Sequence, residues 1–365
     1  MKTRNSQRGV ALFMMFFILV LATLAYTIKS LDFGSIKNEN DKTTAINLAE
    51  AKSALLGYIV LQASKPGTLP CPDTDNNGTA NTSGTICTSY IGRLPWKTPL
   101  GIPMLKDASN ECFWYAVSPI FRNPMSLAQR VASPLNGATT GTITVVDDNN
   151  APIAGVNPVI AVIIAPNNPV GGQTRSGAAT LYCPGDSIAA KYLDTKVAVA
   201  PAPPIAVNNA TGNRPPLAGI NYAFKKGSQS ASFNDKLIYI TADEFFPLLR
   251  KRITKEIVGD LDVRSGLVDY YEQPLAAPHN SYPCPASTFN GNGDCSPPIP
   301  IVGFVPYSDA TIGLQYTALG NWLINNGWFP MTTYSYISAT HVTVTVTDPF
   351  GSYTCDVNMN VVNCA

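Results

Sequence analysis

Charge is what this chain has least of. Lys, Arg, Asp and Glu make up only 13% of the 365 residues, about half of the ~25% usual in soluble proteins. The net charge is +1, so there is neither an acidic tail nor a broad basic surface, and no nucleic-acid partner is expected. Histidine is nearly absent: His279 and His341 stand alone, without metal-ligand spacing. No G-x-S-x-G, H-E-x-x-H, P-loop or G-x-G-x-x-G occurs. No C-x-x-C occurs either, which argues against a thiol oxidoreductase. Asp147-Asp148 opens a turn-like DDNN. Nothing points to the juxtaposed carboxylates that a glycosidase needs. The expectation is a protein that is not an enzyme.

Turn formers and cysteine are abundant instead. There are 30 Pro and 27 Gly, the mark of many turns and short strands. The length suits two ordinary domains. Of eight Cys, six lie in close pairs, Cys71/Cys87, Cys284/Cys295 and Cys355/Cys364, leaving Cys112 and Cys183. An even count at such spacing fits an oxidising compartment and makes all eight disulfide candidates, with the pairing open.

The N-terminus is asymmetric. Residues 1–9 carry Lys2, Arg4 and Arg8 and no acid, and Val10 to Ile28 is a run of 19 uncharged residues. At 1.5 Å per residue such a helix spans a hydrocarbon core. The basic flank would stay in the cytoplasm, placing everything after Lys29 outside. Further on, Leu48, Ala51, Leu55 and Ile59 recur at helical spacing within Thr44–Ser64, and Lys65-Pro66-Gly67 ends that helix.

Two stretches share landmarks at an offset of about 210 residues. The first has Pro70-Cys71-Pro72, Cys87, Gly92-Arg93-Leu94-Pro95-Trp96 and Asn110 to Trp114-Tyr115. The second has Pro283-Cys284-Pro285, Cys295, Gly303-Phe304-Val305-Pro306-Tyr307 and Asn325 to Trp328-Phe329. Each follows a helical stretch and precedes a β-branched segment, Thr142–Val146 or Val342–Thr347. The second helix opens with the capping pattern Thr241-x-x-Glu244, and Phe245, Leu249, Ile253, Ile257 and Leu261 recur every four residues. Its other face, Arg250, Lys251, Arg252, Lys255 and Glu256, reads as solvated rather than as a partner or lipid site. Between the stretches, Val159–Pro166 suits a buried strand, and residues 196–217 read as an extended Pro-rich linker. Trp96, Trp114, Tyr115, Trp322 and Trp328 read as core before recognition surface.

Arg8-Gly9 directly before the apolar run resembles the leader of type IV pilins and pseudopilins. The resemblance implies cleavage between Gly9 and Val10 by a prepilin peptidase, on the cytoplasmic side, with the apolar segment retained. Most of that family carry Glu at the fifth mature position, where this chain has Met14. That departure resembles the minor pseudopilin at the tip of the type II secretion pseudopilus, and some minor pilins. A buried carboxylate needs a partner, and a subunit with none above it needs no such carboxylate. The blocks LPCPDTDNNG, GRLPWKT, WYAVS, AVIIAP and YITADEFFPLL also resemble a poorly characterised group of bacterial pilin-like proteins over most of residues 1–260.

The resulting expectation is an α+β protein with a long N-terminal helix and two tandem pilin-like units with small antiparallel sheets. Its divisions are leader 1–9, membrane and head-packing helix 10–64, first unit 65–195, linker and connecting strands 196–235, and second unit 236–365. Expected partners are other pilin or pseudopilin subunits, the peptidase and the inner membrane, with the head periplasmic or in a filament. The rival is an adhesin-like envelope protein with an uncleaved anchor. Asp73-Thr74-Asp75-Asn76-Asn77-Gly78 matches the start of a calcium loop through Asp73, Asp75 and Asn77. Position twelve is Gly84 instead of Glu, so it is not an EF-hand. A polar Asx turn is the plain alternative, and the second stretch replaces both acids with Ala286 and Thr288.

Overall fold

A computed structural model describes residues 7–123, 125–153, 155, 158–175, 182–183, 185–197, 206–212, 222–259, 266–272, 281–296, 301–309 and 312–365. It mixes helices with small, mainly antiparallel sheets. Residues 1–6, most of the expected leader, lie outside the described residues, as do Leu261 and His279. The side chains of residues 7–13, of Ala25 and of residues 27–35 are also outside them, a set that includes Val10. Among the described residues no helix is long and apolar enough to cross a membrane.

Helix α1 (Gln7–Leu61) leads into the folded body of the chain. Leu48, Ala51, Leu55 and Ile59 of α1 are buried there, so the predicted stripe is the packed face. Short strands β1 (Leu69–Pro70), β2 (Thr82–Ser83) and β3 (Ile86–Cys87) frame the first loop. Then come β4 (Ile91–Arg93), β5 (Trp114–Val117), β6 (Arg122–Asn123) and helix α2 (Leu127–Ala132). Next are β7 (Ile143–Val146), β8 (Ala161–Ala165), β9 (Thr195–Val197), β10 (Ala206–Asn208), β11 (Tyr222–Lys225) and β12 (Lys236–Ile240). The main sheet has the antiparallel order β12-β8-β5-β4. Every residue of β8 is buried, as expected of its continuous apolar run. The segment read as a linker carries the β9–β10 hairpin.

Helix α3 (Ala242–Val258) starts the second half. Thr241 and Glu244 cap it reciprocally, Pro247 falls in its second turn, and Gly259 ends it at φ 90°, a conformation glycine adopts without steric cost. After α4 (Leu267–Glu272) come β13 (Val302–Gly303), α5 (Ala318–Asn325), β14 (Thr332–Ser338), β15 (His341–Asp348), β16 (Gly351–Asn358) and β17 (Val361–Cys364). These five strands form one antiparallel sheet in chain order. Helix α1 lies on β8 and β12, α3 lies on β15 and β16, and the two helices touch. The layers therefore run sheet, helix, helix, sheet, around a shared core.

The two landmark stretches make matching contacts. Asp73 and Arg93 exchange backbone hydrogen bonds (2.9 and 2.6 Å), and so do Ala286 and Phe304 (both 2.9 Å). Gly92 pairs with Tyr115, and Gly303 with Tyr334. The Tyr115 hydroxyl donates to Pro70 O, and the Tyr334 hydroxyl to Pro283 O. A Cβ at Gly92 would lie 2.5 Å from Asp73 O, and one at Gly303 2.7 Å from Ala286 O. Both glycines exist to let two backbones meet.

Two details of the sequence match change. The counterpart of Tyr115 by register is Tyr334, not Phe329. The shared contact is set by strand pairing, which aromatic spacing does not encode. The β-branched segments also diverge: Val342–Thr347 falls in β15 of the five-stranded second sheet, whereas β7 pairs in parallel with β11 outside the β12-β8-β5-β4 sheet. The place next to β5 is filled by β8.

Candidate functional site

All eight cysteines pair. Cys71–Cys87, Cys284–Cys295 and Cys355–Cys364 join sequence neighbours, and Cys112–Cys183 closes the long loop. Cys71–Cys87 and Cys284–Cys295 hold the two landmark loops shut.

The loop carrying Asp73, Asp75 and Asn77 is closed by its own hydrogen bonds. The Asp73 carboxylate accepts from the backbone N–H of Asp75, Asn76 and Gly78 at 3.1, 2.8 and 2.6 Å. Asp75 accepts from Asn77 N–H and from the amides of Asn77 and Asn81. Asn77 Oδ1 accepts from Thr79 N–H at 2.7 Å. Each oxygen that the calcium pattern supplies thus already serves the turn. Among the described residues no group of three His, Cys, Asp or Glu side chains converges as a metal site. Burial raises the Asp73 carboxyl to about 6, against the lowering effect of the Gly78 N–H.

Arg93, which the sequence offers only inside a larger block, is fully buried under this loop. Its guanidinium lies 4.2 Å from the Trp114 ring centre and 4.3 Å from that of Tyr192, a cation held between two π faces. It donates to Cys112 O and Asp186 O. Burial lowers its pKa to about 10, so it stays charged at neutral pH. Trp114, Tyr115, Trp322 and Trp328 are buried and Trp96 half-buried, so the aromatic landmarks are core.

A second polar cluster has no signature in the sequence. Asp194 N–H donates to Asp235 Oδ2 (2.8 Å), and Asp235 N–H donates back to Asp194 Oδ2 (3.1 Å). Asn209 and Gln173 add one bond to each carboxyl. Burial pushes the Asp235 carboxyl well up, with the neighbouring Asp194 adding to it, and burial raises Asp194 too. The pair ties the starts of β9 and β12 to each other and holds no accessible nucleophile.

The charged face of α3 is less solvated than its composition suggests. Arg250 is buried in an ion pair with Asp348, Arg252 bonds Glu256 and Val60 O, and Lys251 stands 5.9 Å from the Tyr353 ring centre. Arg250 and Arg252 therefore bind helix to sheet and helix to helix. His341 sits 3.0 Å from Asp356 on the open face of the second sheet. No family model, curated protein or solved structure matches the chain.

Proposed function

We propose that this chain is a membrane-anchored structural subunit of the minor pilin or pseudopilin kind, with a two-lobed periplasmic head. The observation that carries the reading is in the sequence: Arg8-Gly9, then 19 uncharged residues, then a stripe of Leu48, Ala51, Leu55 and Ile59. In this reading Val10–Ile28 is the anchor, packed among the helices of like subunits after the leader peptidase has cut. Met14, where a carboxylate would need a subunit above it, favours a place at the tip. The four disulfides suit a head outside the inner membrane. The matched contacts around Gly92 and Gly303 support two copies of one unit. The Asp73 loop is assigned a structural role in closing the first copy. No step of catalysis is assigned.

A second reading, an anchored envelope binding protein with an uncleaved signal anchor, is favoured by a polar cleft lined by Asn40, Asn167, Asn168, Gln229 and Asn234. Intact-mass measurement of the membrane form, with and without the leader peptidase, separates the two. The filament reading expects loss of residues 1–9 and a new N-terminus at Val10 only when the peptidase is present. A full-length chain in both cases sinks it.

A further inference from the structure

A cleft of about 510 Å³ opens between α1 and the loops after β8 and β11. This lies within the ~300–1,000 Å³ typical of small-ligand sites. Its polar lining is amide-rich: Asn40 from α1, Asn167 and Asn168 after β8, Gln229 and Asn234 before β12. Two of these amides are fixed. Asn167 Nδ2 donates to Asn234 O at 2.7 Å, and Asn234 Nδ2 donates to Asn168 O at 2.8 Å. The Asp107 carboxylate holds the Asn167 N–H at 2.7 Å beneath them. The side chains of Asn40, Asn168 and Gln229 are exposed and make no hydrogen bond to another described residue. The wall is thus preorganised, with free amides at its rim.

The lining selects among ligand chemistries. Its charged side chains are Lys37 and Asp41, and Asp41 is already bonded to Lys236. Among the described residues the lining offers one lysine without an ion pair, too little for a phosphate, and one engaged carboxylate, too little for a divalent cation. Among the described residues no strand lines the cleft, so no sheet edge is offered there to an added peptide. Primary amides offer a donor and an acceptor side by side, which matches hydroxyl groups that both give and accept. Ile36, Ala108 and Val170 add apolar surface that suits an acetyl methyl.

We propose that this cleft binds a neutral oligosaccharide bearing N-acetyl groups. The inference stands apart from the filament reading, since a cleaved and an uncleaved chain carry the same cleft. The test is saturation-transfer NMR with chitotriose on the full chain in lipid nanodiscs, because glycoside detergents are themselves sugars. Transfer to the acetyl and ring protons is expected, and Asn168→Ala with Gln229→Ala should weaken binding about tenfold. Both side chains are exposed, so an unchanged unfolding temperature should confirm the fold of the double variant. Absence of transfer, an unchanged signal in the double variant, or equal transfer to trialanine would each overturn the proposal.

Discussion

At the scale of single residues, the buried carboxyl pair Asp194 and Asp235 contributes to how stability responds to pH. Both folded-state values are raised by burial. Their stabilising contribution is therefore complete below the ordinary carboxylate range and is lost as pH rises through the raised values. Asp73, raised to about 6 from 3.8, adds a loss between about pH 4 and pH 6. Asp235 accepts both of its hydrogen bonds on Oδ2, while its buried Oδ1 has no partner among the described residues. Asparagine keeps the accepting oxygen and removes the charge. Asp235→Asn should show a flatter profile of melting temperature than the parent as pH rises above the ordinary carboxylate range. Parallel profiles for the two proteins would show that this carboxyl does not titrate there.

At the scale of elements, α3 is the joint of the molecule. Its apolar stripe of Phe245, Leu249, Ile253 and Ile257 is buried, and its polar side is committed as well. Lys52 of α1 bonds Glu244 at 2.5 Å, an exposed pair worth little by itself. Arg250 with Asp348 is different, because both side chains are almost entirely buried. Removing one partner strands a charge in the core. Arg250→Met should cost about 3–5 kcal/mol in urea unfolding, and adding Asp348→Leu should recover most of it. A double variant as unstable as the single would mean that Asp348 serves mainly its bond to Phe350 N–H.

At the scale of the whole molecule, the two halves interlock. Trp322 Nε1 donates to Pro66 O, Trp328 Nε1 donates to Leu135 O, and Leu135 N–H donates to Asn326 Oδ1. Buried indole N–H groups left unpaired are costly, so these bonds tie the second half to the first. Disulfides of very different span reinforce the assembly. Cys112–Cys183 closes 71 residues and Cys355–Cys364 closes nine. Loop-closure entropy predicts that replacing the first pair by Ala costs about 4 kcal/mol, and the second about 2.5 kcal/mol. Calorimetry on the two double variants checks the order, and an equal or reversed ranking would remove loop closure as its cause.

The sequence by itself determined which segments face a core. The α1 stripe, the buried run of β8 and the capping box of α3 are all local patterns, set within a few residues by helical or strand periodicity. Periodicity says that a face is buried but not against what. The pairing of β7 with β11, the equivalence of Tyr334 with Tyr115, and the Cys112–Cys183 bridge depend on segments far apart in the chain, so only tertiary structure decided them. The same holds for the buried polar groups. Arg93, Asp194 and Asp235 look like ordinary surface residues in a linear reading. Their burial is tolerable only because distant aromatics and backbone amides converge on them, and that convergence exists only once the layers have packed.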